Sequence, residues 1–381
     1  MRFLFLFCAV FAATGGFSAG VSSHARFGAD AFNRAVSVAA KGTVVFSPLS
    51  FEIDSVVFSD AFDPITKAHF AEKLGVLSDF EGVYGQILGE LRAAAESNKF
   101  SFVSARAICL PDMRMAAVPY RRDIQRLFSA EICPATPPHG AESWLRNMLD
   151  GDMEDFDIPL GVTGQGRYSF YDLASVRFSW LEPFPTENTR SIQFALDDGG
   201  HCPVEAMCDI RQADLWENRR FSMVRLPLAD GAWFYALMPN GDMSLRDIRP
   251  EFSSTKIDDL VNVMNSVTVT GVSHGPVALV IPKMDVSSTL DLVGVFGYFR
   301  FPLKGFSRLD KDMRHSQVKQ RVRFRLDEQG LDKEPLVRKP EDEVVHADAS
   351  TKRFILNRPF LFFVYHEPTG TIPLAGQFTG R

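Results

Sequence analysis

The stretch that most constrains this chain is its last quarter, where two buried-strand patterns are held apart by a long, charged, proline-bearing span. Before the span, Val318, Val322, Phe324 and Leu326 alternate with Lys319, Arg321, Arg323 and Arg325, a period-2 pattern with one apolar face. After it, PFLFFVYHEPTGTIPLAGQF (359–378) holds two apolar runs around Glu367-Pro368-Thr369-Gly370, which predicts a hairpin with Pro and Gly in the turn. The polar span from Glu328 to Phe360 is far longer than an ordinary connection, and such loops in compact domains are functional or disordered. The basic row on the strand before it lies on one sheet face, where solvent and the chain's carboxylates neutralise it.

A two-strand pattern of this kind needs a large core to sit in. The chain has 381 residues, 46% of them hydrophobic and 34 of them Phe, enough to fill one. Its net charge of -6 excludes the basic footprint of a general nucleic-acid binder. At the N-terminus, Arg2 precedes an apolar run from Phe3 to Ala13, then small residues and Ser23-His24-Ala25, the layout of a secretory signal peptide. The expected cut lies between Ala19 and Ala25, after Ala25 by the small residues at the -3 and -1 places, giving a leader over 1–25 and one domain over 26–381. Cys8 leaves with the leader. No later run approaches the ~18 apolar residues of a membrane helix, so the expected location is periplasmic or extracellular, with no membrane contact once the leader is gone.

Four cysteines then remain, Cys109, Cys133, Cys202 and Cys208, a number compatible with two bridges in an oxidising compartment. Cys202 and Cys208 are roughly 20 Å apart if their run is extended, too far for a bond. Cys109–Cys133 is the better pairing, with buried free thiols as the alternative.

Helical spacing marks 26–41, stopped by Gly42, and Ser47-Pro48 is a cap-plus-proline start for a second helix. Further helices are expected at 79–97, about 117–129, 141–153 (Trp144, Leu145 and Met148 on one face), 254–266 and 288–299. Strands are expected at 100–110, 128–135, 168–180, 191–196, 203–210, 216–228, 231–241 and 276–286, with a hairpin about Ala229-Asp230-Gly231. No linker or repeat divides the chain. The simplest account is a single α+β domain, helices early and strands late.

Enzyme constellations fail one by one. The histidines never take paired metal-ligand spacing. Gly161-Val-Thr-Gly164-Gln-Gly166 has the wrong spacing for a dinucleotide fingerprint. The run from Asp150 opens like a calcium loop but has Asp155 where Gly is needed and Gly161 where Glu is needed. No cofactor or metal is expected, and nothing here breaks bonds.

Six segments, in one order across nearly the whole chain after the leader, resemble the serpins. They are FSPLS (46–50), FSWLEPFPTENTRSIQF (178–194), VRLPLADGAWFYALMPNGDMSLRDI (224–248), VALVIPKMDVSSTLDLVGVFG (277–297), SQVKQRVRFRLDEQG (316–330) and RPFLFFVYHEPTGTIPLAGQF (358–378). The resemblance implies three β-sheets with about nine helices and an exposed reactive loop over about 328–358. It also implies a serine-type endopeptidase inhibitor, acting as a monomer on a serine or cysteine protease. In the family, cleavage of the loop lets it insert as an extra strand of the central sheet, trapping the protease. By resemblance Glu328, Gln329, Gly330 and Leu331 are the hinge, Val344-Val345 the bait bond with Arg338-Lys339 as the alternative, and Ser47, Ser50, Trp180 and Gln320 belong to the shutter and breach that control sheet opening.

Three departures follow. The family's hinge continues with Thr and small residues, whereas this chain has Leu331-Asp332-Lys333-Glu334-Pro335-Leu336-Val337-Arg338-Lys339-Pro340. Either alternation puts charge or proline into the sheet interior, and both oppose insertion. Thr43 stands in place of the family's shutter Asn, and Gln320 in place of its His. The second reading is therefore a non-inhibitory serpin used as a binding or carrier module.

Overall fold

The computed structural model describes residues 22–39, 41–76, 79–96, 99–134, 166–266, 268–330 and 351–380. The expected helix at 141–153 and the bait positions Arg338, Lys339, Val344 and Val345 lie outside the described residues, as does Leu331. In chain order the elements are α1 (Ser23–Val38), β1 (Val44–Phe46), α2 (Pro48–Ser59), α3 (Pro64–Leu74), α4 (Phe80–Glu96), β2 (Phe100–Leu110), α5 (Val118–Phe128), β3 (Ala130–Pro134), β4 (Arg167–Phe178), β5 (Arg190–Ala195), β6 (His201–Glu217), β7 (Phe221–Pro227), β8 (Ala232–Pro239), α6 (Leu245–Ile248), α7 (Ile257–Val263), β9 (Val272–Pro282), β10 (Met284–Asp291), α8 (Val293–Tyr298), β11 (Arg314–Leu326), β12 (Lys352–Ile355), β13 (Phe360–His366) and β14 (Thr371–Phe378).

The strands form a five-stranded sheet, β10-β11-β4-β2-β3, and a nine-stranded one, β1-β14-β13-β8-β7-β6-β9-β12, with β5 joined to β6. The long strand β6 serves three neighbours: its start pairs β5, its middle β9 and its end β7. Two of the three expected sheets are thereby joined into one hydrogen-bonded surface.

Helix α2 lies between the sheets. All twelve of its residues are buried, which its apolar, all-round sequence PLSFEIDSVVFS requires of a central helix. Ser47 caps it, accepting from the Ser50 N–H, and Pro48 fills the first turn, as read from sequence. Around it Phe27, Phe51, Phe58 and Phe296 pack edge-on or stacked with centroids between 4.9 and 5.8 Å, and Phe170 joins them from β4 at 4.8 Å from Phe58.

Several boundaries move, each for a physical reason. Residues 288–291 continue strand β10, because eight register pairs with β11, from Met284↔Leu326 to Asp291↔Lys319, outweigh helical spacing; only Val293–Tyr298 is helical. The run 216–228 is broken at Asn218, whose side chain accepts from the Arg220 and Phe221 N–H groups, so Trp216 and Glu217 belong to β6. The run 254–266 is helical only over Ile257–Val263. Strand β4 ends at Phe178, and Trp180 makes an isolated bridge to Leu228. Helix α3 was not anticipated, though Asp63 caps it, Pro64 opens it and left-handed Gly75 closes it.

Candidate functional site

The site is the end of β11 where the chain leaves the five-stranded sheet. The alternation read from sequence holds: Val318, Gln320, Val322, Phe324 and Leu326 are buried and the basic side chains point outward. Strands β11 and β4 run parallel and paired from Arg314↔Arg167 to Arg323↔Ser175, so the seam between them is closed.

Above the seam, the residues expected from sequence as the hinge are held by hydrogen bonds. Trp180, 1% exposed, donates its indole Nε1–H to the Asp327 carbonyl at 2.8 Å, and the Phe184 N–H donates to the Glu328 carbonyl at 2.7 Å. The Glu328 carboxylate accepts from the Thr189 hydroxyl at 2.5 Å and from Lys283 Nζ at 2.9 Å. Burial works against that carboxylate, but the hydroxyl and the ammonium outweigh it and hold its pKa below the usual range. Gly330 bridges to Ser179 at φ +84°, and a Cβ there would lie 2.2 Å from the Phe178 carbonyl oxygen. Only glycine fits. Past the undescribed residues, Lys352–Ile355 pair in parallel with β9, so the span expected as loop, 328–358, ends in a strand.

Beneath the seam lies a buried polar cluster. Gln320 binds Ser47 twice, its Oε1 accepting from the Ser47 N–H at 2.9 Å and its Nε2 donating to the Ser47 carbonyl at 3.1 Å. The same Nε2 donates to Asp172 Oδ2 at 2.8 Å, across the seam. The Ser50 hydroxyl donates to Asp172 Oδ1 at 2.7 Å. Arg106 completes the cluster, donating to Asp54 Oδ1 (2.8 Å), Ser50 Oγ (2.9 Å) and the Phe128 carbonyl (2.7 Å). Arg106, Asp172 and Gln320 are register partners on three adjacent strands, β2, β4 and β11. Two carboxylates around one guanidinium leave an excess negative charge; burial first, and then Asp172, push the Asp54 pKa well above the carboxylate range.

The cluster unites Ser47, Ser50 and Gln320, and Trp180 lies against Asp327, next to the residues expected from sequence as the hinge. Thr43 does not join: its hydroxyl meets Thr379 Oγ1 at 3.2 Å and accepts from the Thr379 N–H. Arg106, Asp54 and Asp172 were not singled out from sequence. Their signal was a charged residue inside an apolar run, FVSARAICL, SFEIDSVV and SFYDLASV. Cys109 and Cys133 meet at an Sγ–Sγ distance of 3.0 Å as unbonded thiols. Cys202 and Cys208 share β6.

The paired seam, the contacts on Asp327 to Gly330 and the buried polar cluster adjoin one another at this end of β11. The family profile described as Serpin (serine protease inhibitor) matches residues 22–380. Human glia-derived nexin is 23% identical over 92% of this chain and 90% of its own length, and bovine plasminogen activator inhibitor 1 is 23% identical over 94% and 92%. Native protease nexin-1 with heparin superposes with a TM-score of 0.77 at 18% identity, covering 94% of this chain and 98% of its own. The thermophilic serpin tengpin in its native state gives 0.78 at 17% identity, over 95% and 94%. Profile, relatives and fold agree along the length of the chain, which belongs to the serpin family.

Proposed function

We propose that this serpin is exported, presents residues 331–350 to a serine-type endopeptidase as bait cut at Val344-Val345, and releases the protease without completing insertion. Gln320 and Asp172 face each other across the β11–β4 seam, so admitting a strand there breaks their 2.8 Å bond and the paired backbone beside it. The observation that carries the reading is what would enter: Lys333, Arg338, Pro335 and Pro340 lie in the entering segment. An ammonium buried without a partner costs several kcal/mol, and a proline cannot donate to the ladder. The energy gained by a sixth strand is spent on these residues.

The test is incubation of the mature protein with elastase-, trypsin- and subtilisin-type proteases. The expected result is a loop cut near Val344, no SDS-stable complex, and little rise in Tm on cutting. An SDS-stable complex together with a large rise in Tm refutes the reading.

The same loop composition favours a second reading, a non-inhibitory binding module. Human thyroxine-binding globulin shares the fold, with a TM-score of 0.72 over 94% of this chain. An open cleft of about 620 Å³ lies among Arg26, Phe27, Lys73, Tyr298 and Arg300. No cut in the loop by any of the three proteases would favour this reading.

For export, the leader is best cut before Ser22, within the window read from sequence. Ser22 caps α1 and its hydroxyl donates to the Gly370 carbonyl, while His24 Nδ1 meets the buried Glu52 carboxylate at 2.5 Å. A cut after Gly20, with Ser18 and Gly20 at the small-residue places, keeps all of this, whereas a cut after Ala25 removes it. N-terminal sequencing of the exported protein decides between them.

A further inference from the structure

We propose that Cys109 and Cys133 form a disulfide as the chain folds, clamping the edge strand of the five-stranded sheet. The two are direct register partners on the parallel strands β2 and β3. Neighbouring strands lie about 4.8 Å apart, inside the ~4.4–6.8 Å Cα span that a disulfide takes. The sulfurs already stand 3.0 Å apart, closer than ordinary sulfur–sulfur contact. Cys202 and Cys208 do not compete, because both lie on β6 of the other sheet, their thiols turned to the carbonyls of Gly380 and Ala206.

Burial decides when the bond forms. Each cysteine residue is 5% exposed, and Cys133's hydrogen bond, followed by burial, pushes the Cys109 thiol far up. A buried thiol that resists ionisation is a poor nucleophile, so exchange belongs to the folding chain and the finished bond resists reductants. One cysteine thiolate attacks a disulfide oxidant, either a protein disulfide or glutathione disulfide, and forms a mixed disulfide. The second cysteine displaces it. Two electrons pass to the oxidant, which leaves as two thiols, and the protein gives up two protons.

The position gives the bond a role. Among the described residues strand β3 pairs on one side, through five register pairs to β2, and an edge strand is the first to peel away or accept a foreign strand. Bonding Cys109 to Cys133 ties β3 covalently to β2, which is itself paired with β4 over ten register pairs.

The export reading supplies the oxidising compartment, and two arms separate the ideas. Protein refolded in glutathione buffer tests the bond alone; protein recovered from the secretory route of an expression host tests bond and export together. The expected result in both arms is two titratable thiols per denatured, unreduced chain, a mass lower by two hydrogen atoms than after reduction, and one linked peptide pair joining Cys109 and Cys133. Reduction, or Cys133→Ser, should lower Tm by several degrees. Reduction should also speed amide exchange in Ala130–Pro134 and leave the β4–β11 seam unchanged. Four free thiols in the glutathione arm, or a bridge to Cys202 or Cys208, overturn the proposal. A bond present in that arm and missing from the exported protein overturns the proposal for the exported chain, whereas a chain that keeps its leader and stays inside the host refutes the export reading. Equal exchange in β3 before and after reduction removes the clamping role.

Discussion

Arg106→Met is the most informative single change in this chain. The guanidinium is 1% exposed and makes its bonds to Asp54, Ser50, Ser104 and the Phe128 carbonyl between 2.7 and 2.9 Å. Methionine keeps most of the apolar stem and removes every donor. Breaking one side of a buried ion pair costs about 3–5 kcal/mol, because the charge left behind has lost both water and partner. Here the low end applies. Asp54 is already biased toward its neutral form, so it takes up a proton, and Asp172 keeps the Ser50 hydroxyl and the Gln320 amide. The expected loss is therefore about 3 kcal/mol at neutral pH, read as a lower urea midpoint at unchanged m-value. The double variant Arg106→Met with Asp54→Leu should recover much of that loss, since replacing the whole pair by packed apolar groups is often nearly neutral. A loss under ~1 kcal/mol for the single variant would show that the cluster is hydrated or already discharged, and the argument from its geometry would fail.

Three further outcomes can be checked. Asp54 has a raised pKa in the folded state, so its contribution is full below the unfolded carboxylate pKa and is lost as pH rises through the folded value; Asp54→Asn should therefore be more stable than wild type at pH 8, with the difference vanishing toward pH 3, and a pH-independent difference would refute this. His366 is pushed down to about 4 by burial, so its contribution is present above the unfolded pKa and is lost as pH falls toward 4, by about 3 kcal/mol; His366→Phe, which keeps the stack on Phe100, should flatten that acid limb in urea melts. Gly330→Ala should cost at least the ~1–2 kcal/mol of a left-handed residue and should expose Trp180 by opening the hinge clamp; unchanged Tm and tryptophan emission would show that the clamp does not depend on this position.

Local signals carried much of the fold. The start of α2 at Ser47-Pro48, the alternation of β11 and the hairpin closing at Gly370 are set by neighbours within a few residues, and all three stand in the structure where sequence placed them. Errors fell where local and distant terms compete. Residues 288–291 have acceptable helical spacing, and pairing with β11 made them strand. The resemblance brought Ser47, Ser50, Trp180 and Gln320 into view. Arg106, Asp54 and Asp172 stayed hidden, visible only as charges out of place in apolar runs.

Sequence by itself determined which faces are apolar, where the strands meet the long polar span, and that this span carries charges and prolines into whatever it enters. Only the tertiary structure decided that Arg106, Asp172 and Gln320 lie side by side on three strands, and that Cys133 stands opposite Cys109. The reason is physical: periodicity is a property of one strand, whereas register is settled by closing long loops against the packing of the whole sheet.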